Sequence, residues 1–192
     1  MASLIVCTPG GKDDNCYVTA VQATAYFANT LRAQSWDARV VTLQPQSWDA
    51  LAVTLREQAL IQATQDLEAL GGATLNVRSP ARSRFAGFPY NCDLDVQALH
   101  FPRITDVDHD GVTKLVPQDI KAAVCEQAAW LLAKLSGPDL VDRDALQAAG
   151  VTNISVDGLS ESYGPRTVPA GICPAAWTRV QPFLRGGWSG TV

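Results

Sequence analysis

The chain has 192 residues, 47% of them hydrophobic and 18% charged, which fits one globular domain with a real core and excludes a disordered, charge-rich tail protein. Acidic side chains number 19 against 15 basic ones, giving a net charge of −4 and a pI near 5.0. The counterion release behind tight binding to phosphate backbones therefore has no obvious source, and a duplex or membrane-surface binder is disfavoured.

The opening run Leu4-Ile5-Val6-Cys7 is too short for the apolar region of a signal peptide and follows no Lys or Arg. No stretch approaches the roughly 18 apolar residues of a bilayer span. The expectation is a soluble protein made in the cytoplasm. The five cysteines, Cys7, Cys16, Cys92, Cys125 and Cys173, form an odd set without a Cys-x-x-Cys pair, so they read as reduced thiols and mostly as small packing residues.

In chain order, Leu4-Ile5-Val6 reads as a short strand closed by the turn Thr8-Pro9-Gly10-Gly11. Thr19 is placed as the N-cap of a first helix running to about Leu31, with Val18 as a hydrophobic staple. Its apolar positions are Val21, Ala25 and Ala28, widened by Tyr26 and Phe27. A second helix spans Thr54 to Leu70 on Leu55, Ala59, Ala63, Leu67 and Leu70 and stops at Gly71-Gly72, with a short turn over Ser47-Trp48-Asp49-Ala50 before it. A long polar loop carrying Arg78, Arg82 and Arg84 follows, up to Phe101.

The third helix starts at Val116-Pro117, with proline at the first helical position, and ends at Ser136-Gly137-Pro138. Its stripe is Ile120, Val124, Ala128, Leu131 and Leu135, with Trp130 and Leu132 beside it. Leu55, Leu67, Val124, Leu131 and Leu135 are expected to be buried. A short helix from Arg143 to Ala149 comes next, and Asp157-Gly158 between two β-patterned runs predicts a tight hairpin. Pro174 to Val180 allows a last short helix, and Arg185 to Val192 reads as a flexible tail. The fold class expected is mainly α, an antiparallel helical bundle of three principal helices with a small β-hairpin and extended termini. Residues 1–150 form its helical core, including the long loop at about 72–115, and residues 151–192 form the hairpin, short helix and tail.

Motifs that could carry chemistry are sparse. Asp106-Val107-Asp108-His109-Asp110-Gly111 copies the opening of a calcium loop, but its twelfth position is Pro117 instead of the bidentate Glu, so a solvated acidic turn is expected. His100 and His109 stand beside no nucleophile signature, and His100 reads as a packed or surface histidine. Gly10-Gly11-Lys12 matches only the end of a phosphate loop. Neither catalysis, metal nor cofactor is expected. Arg78, Arg82 and Arg84, interleaved with Phe85, Phe88 and Tyr90, give the one pattern that suits single-stranded nucleic acid, with a loop lying over a neighbouring subunit as the other reading.

The strand Leu4, Ile5, Val6 has no sequence-adjacent partner, and the hairpin at Asp157 and Gly158 leaves strand edges, so neighbouring subunits are expected to satisfy both. Arg185 and Trp188 in the tail complete the expected assembly interface.

Short segments in order carry a family resemblance. Asn15-Cys16-Tyr17-Val18-Thr19 followed by Ala25-Tyr26-Phe27 resembles the opening of a group of tailed-phage proteins encoded among head and neck genes. Glu57 to Leu67 is similar to that group's second helix. Arg84-Phe85-x-Gly87 and Gln97-Ala98-Leu99-His100-Phe101-Pro102-Arg103 are similar to its central loop signature, and Val116-Pro117-x-x-Ile120 to the start of its third helix. Cys16 stands where Ser is usual, and the insertion from Gly72 to Cys92 is longer. The motif residues are Tyr17, Val18, Tyr26, Phe27, Phe85, Gly87, Phe101, Pro102, Arg103, Pro117 and Ile120.

The resemblance implies a head-tail connector, or neck adaptor, some of whose relatives are labelled DnaT-like single-stranded DNA-binding proteins. It implies a non-enzymatic virion subunit at the neck, a homo-oligomeric ring of about twelve copies beneath the portal protein. Its partners would be the portal, a head-closure (stopper) or tail-terminator protein, and DNA only in transit through the lumen, with no membrane. The alternative is a single-stranded DNA-binding module of phage replication, contacting DNA through Arg78, Arg82 and Arg84.

Overall fold

A computed structural model of the chain describes residues 3–30, 48–70, 85, 97–106, 110–111, 115–136, 151–156, 159–162 and 168–184. Over these the protein is mainly helical, with four α-helices, a two-stranded ladder and one 3₁₀ turn. Helix α1 is Ala20–Ala28, and its start follows from sequence chemistry. Thr19 Oγ1 accepts the Gln22 N–H at 3.2 Å while Gln22 Oε1 accepts the Thr19 N–H at 3.0 Å, so two orphan amides are satisfied reciprocally. The helix stops at the C-cap Asn29, short of the expected Leu31. Its inner face is Ala23 and Phe27, and Val21, Ala25 and Ala28 lie outside, with Val21 79% exposed. Burying the Phe27 ring removes more apolar area from water than burying a valine and two alanines, and that sets the helix's rotation.

Helix α2, Trp48–Leu70, is one unbroken element of 23 residues, which corrects the expected start at Thr54 and the separate turn before it. No Gly or Pro falls between Trp48 and Thr54 to interrupt it. Ala59, Ala63 and Leu67 are buried as expected, joined by Glu57, Leu60, Thr64 and Glu68, whereas Leu55 is only half-buried.

Helix α3, Gln118–Ser136, begins after Pro117, whose carbonyl accepts the Lys121 N–H at 3.1 Å. Its buried line is Ile120, Val124, Ala128 and Leu132. Leu131 is half-buried and Leu135 is 65% exposed, against expectation. Steps of four residues keep Leu132 beneath Ala128, whereas the step of three to Leu131 turns the line outward. Helix α4, Pro174–Val180, has the extent read from the sequence and is capped by Cys173, whose Sγ accepts the Ala176 N–H at 3.2 Å. The 3₁₀ turn Gln181–Phe183 follows it.

Strands β1 (Asn153–Val156) and β2 (Leu159–Ser162) pair antiparallel, with Asn153 opposite Ser162 and Val156 opposite Leu159. The turn residues Asp157 and Gly158 lie outside the described residues, as do the expected helix at 143–149 and the tail from Arg185.

Leu4-Ile5-Val6 forms no strand. Its backbone is satisfied within the chain: Glu57 accepts the Leu4 N–H at 2.9 Å, Asn15 Oδ1 accepts the Val6 N–H at 2.9 Å, and Asn15 Nδ2 donates to the Leu4 carbonyl at 2.9 Å. Side chains thus satisfy amides that the sequence reading assigned to a neighbouring subunit.

Helix α2 packs along α3, α4 lies against α3, and α1 touches both α2 and α3. One core cluster runs from Cys16 to Val180 and includes Phe85, Leu99 and Phe101 from between the helices. A polar tie crosses it. The amide of fully buried Gln127 donates to Asp66 Oδ2 of α2 at 3.0 Å and to the Gly171 carbonyl at 2.8 Å, and its oxygen accepts the Cys173 N–H at 2.9 Å.

Candidate functional site

Residues 97–106 carry the densest cluster of sequence-singled residues. Gln97 shapes this segment by donating to the Leu99 carbonyl at 2.8 Å and the Pro102 carbonyl at 3.0 Å across a cis Phe101–Pro102 bond. Arg103 grips Asp106 through Nε at 3.0 Å and a terminal nitrogen at 2.7 Å, and Asp106 also accepts the Arg103 N–H at 2.8 Å. That ion pair shields the first carboxylate of the calcium-like run; positions 107–109 lie outside the described residues. The Arg103 guanidinium lies 5.2 Å from the Phe101 ring centre and 5.1 Å from that of Phe183, a cation–π arrangement on two rings.

Phe101 is the hub of an aromatic cluster. Tyr17, Phe85, His100 and Phe183 meet it edge-on with ring centres 5.1–5.9 Å away. Phe85 is anchored by a bridge to Leu184. His100 is packed, its ring 4.9 Å from that of Phe85.

Beneath the hub sit two buried polar groups, Tyr17 and Glu68. The Tyr17 hydroxyl donates to Glu68 Oε1 of α2 and accepts the Phe101 N–H at 3.0 Å, and Glu68 Oε2 accepts the His100 N–H at 3.3 Å. Burial pushes the Glu68 carboxyl up to about 7, partly offset by these two donors, and burial beside Glu68 holds the Tyr17 phenol well above its ordinary range. Chemistry on a bound molecule requires access, and this pair is buried. What it does is fasten 97–106 to α2.

A second polar group lies at the surface. A groove of about 470 Å³ is lined by Asp119, Glu126, Ala175, Thr178, Arg179 and Pro182 of α3 and the α4 region. Tyr26 of α1 donates to Glu126 at 2.9 Å, and Arg179 donates to Asp119 at 3.2 Å. Burial and the Glu126 carboxylate push the Tyr26 phenol up to about 12.

The phosphate-loop fragment is closed from within. Asp14 accepts the Thr8 N–H at 2.7 Å and the Gly11 N–H at 3.0 Å, so a carboxylate of the chain itself takes amides that a phosphate would need. Gly11 is required there, because a Cβ would stand 2.9 Å from both the Thr8 carbonyl and Asp14 Oδ1. The described cysteines are free thiols, and burial pushes Cys7 up to about 11 and Cys125 to about 12, as inert packing thiols require.

Of the residues carrying the resemblance, Tyr17, Val18, Phe27, Phe85, Phe101, Pro102 and Ile120 are buried, and Tyr26, Arg103 and Pro117 are half-buried around them. The structure gathers Tyr17, Phe85, Phe101 and Arg103 into the hub. Gly87, the candidate DNA contacts Arg78, Arg82 and Arg84, and Asp157, Gly158, Arg185 and Trp188 lie outside the described residues. Sequence reading passed over Glu68, Gln127, Glu126 and Arg179. The available signal for Glu68 was a polar side chain four residues after Thr64 on the inner face of α2.

A family model described as "Putative DnaT-like ssDNA binding protein" matches residues 2–188, and the chain belongs to that family. Neither a curated protein nor a solved structure is matched.

Proposed function

We propose that the protein is a structural subunit of a tailed-phage virion, a head-tail connector adaptor at the neck. In this reading copies of the chain form a ring between the portal and the head-closure or tail-terminator protein, DNA passes through the lumen, and no catalysis or cofactor is involved. The body of each subunit is the antiparallel bundle of α1, α2 and α3. The observation that carries the reading is the described surface. The described residues include six basic side chains (Lys12, Arg56, Arg103, Lys121, Lys134, Arg179), spread over five segments, and three of these are paired with Asp13, Asp106 and Asp119. Alongside this dispersed charge, Leu4, Val6, Val21 and Leu135 stand exposed, and cations so spread give phosphates no continuous track among the described residues.

The second reading, single-stranded DNA binding through Arg78, Arg82 and Arg84, is favoured by the family's description. Electron microscopy of the purified protein, alone and with portal, separates the two. Ring particles support the adaptor. Oligonucleotide binding whose log affinity falls with log salt at a slope near −0.7 per phosphate contact, without rings, supports the second reading. In the adaptor reading, deleting residues 185–192 weakens attachment to portal-bearing heads and leaves the fold intact; equal docking by the truncated chain removes the tail from the interface.

A further inference from the structure

The contact between α2 and residues 97–106 depends on one carboxyl and one phenol. Glu68 and Tyr17 are 5% and 2% exposed, and between them they hold two successive amides, those of His100 and Phe101. The groups facing the carboxyl are the Tyr17 hydroxyl from the N-terminal loop and the His100 amide from 97–106. The His100 ring lies on Phe85 and Phe101. On α2 itself, Thr64 is engaged with the Leu60 carbonyl and Cys16, and Asp66 with Gln62 and Gln127. Among the described residues no Lys or Arg bonds Glu68.

A carboxylate in that position is a buried charge held by two neutral donors. Such a charge costs more to desolvate than two hydrogen bonds return, whereas the protonated acid is neutral and its carbonyl oxygen still accepts the Tyr17 hydroxyl. Water reaches the ionised group when 97–106 lifts from α2. We propose that Tyr17, Glu68 and the His100 and Phe101 amides form a proton-operated clasp, shut while Glu68 is protonated and released when it ionises, which sets how firmly 97–106 is docked on α2. This device is independent of the adaptor reading.

The direction agrees with the carboxyl's rise from 4.5 to about 7 in the shut form. A raised folded value means the stabilisation is full below about 4.5 and is lost as pH rises to about 7.

Amide hydrogen exchange on the full chain, divided by the intrinsic exchange rates, tests this from about pH 5 to about pH 8. Opening at His100 and Phe101 is expected to increase about tenfold per pH unit up to about pH 7 and then level off. Glu68→Gln is expected to abolish the slope. A flat wild-type profile overturns the clasp, and so does a slope that survives Glu68→Gln, because the retained His100 ring would then be its source. Should that variant fail to fold, carbon-13 titration of the wild-type carboxyls decides. A Glu carboxyl titrating near 7 in step with the two amides supports the clasp, and the lack of one overturns it.

Discussion

Gln127→Leu is the most informative single perturbation of the fold. Gln127 is fully buried, and its three hydrogen bonds tie α2, α3 and the entrance to α4 together. Leucine matches its bulk but has neither donor nor acceptor. The losses are unequal. Gly171 is exposed and its carbonyl can turn to water, and half-buried Asp66 keeps its 2.8 Å bond from Gln62, so these two recover much of what they lose. Cys173 is buried at the N-cap of α4, and its amide loses the Gln127 acceptor where water does not enter. One buried donor left unsatisfied costs about 1–3 kcal/mol, and the two weakened bonds add about 1 kcal/mol, giving roughly 2–4 kcal/mol in total. At about 2–4 °C per kcal/mol for a chain of this size, Tm is expected to fall by about 5–15 °C. Urea denaturation with an unchanged m-value checks the number. A loss below about 0.5 kcal/mol would refute the reasoning, because it would mean the tie is no better than the packing that replaces it.

The other expectations are local. Leu132→Ala should cost about 2–5 kcal/mol and Leu135→Ala no more than about 0.5 kcal/mol, and calorimetry giving equal losses would reject the buried line of α3. Gly11→Ala forces a Cβ against the Thr8 carbonyl and Asp14, and should lower stability by about 1–3 kcal/mol in chemical denaturation. Thr19→Ala removes half of the capping box and should cost about 1 kcal/mol, seen as reduced helicity and Tm together.

Features that depend on near neighbours were legible in the sequence. The Thr19–Gln22 cap, the Pro117 start of α3 and the extent of α4 all rest on residues within four positions of one another. The rotation of the helices was not. In α1 and α3 apolar residues recur at both three and four positions, so two overlapping stripes fit each pattern. Which one is buried is settled by Phe27 and Leu132 finding distant partners. Polar residues of the core were hidden for the same reason. Glu68 and Gln127 carry no local signal, because their partners Tyr17 and Cys173 lie 51 and 46 residues away. Leu4-Ile5-Val6 is not a strand because Asn15 and Glu57 supply, from side chains, hydrogen bonds that the sequence reading assigned to a neighbouring subunit.

The residues on which the family resemblance rests have a physical reading of their own. Tyr17, Phe85, Phe101 and Arg103 come from distant segments and meet in one aromatic hub, so their shared order specifies how residues 97–106 are seated on the helices. Tyr17, Phe85 and Phe101 are buried, so this signature is compatible with either partner. Binding chemistry must therefore come from residues that the hub leaves outside, and Arg78, Arg82 and Arg84 are the candidates nearest to it in sequence. If their role is to contact DNA and not to support the fold, replacing all three by alanine leaves Tm unchanged within about 1 °C. If oligonucleotide binding is lost with Tm intact, these arginines carry the family's label. If rings still form and dock on portal, the label and the adaptor role reside in separate parts of the chain. A large fall in Tm would instead place the arginines within the fold's own support and refute their assignment as surface contacts.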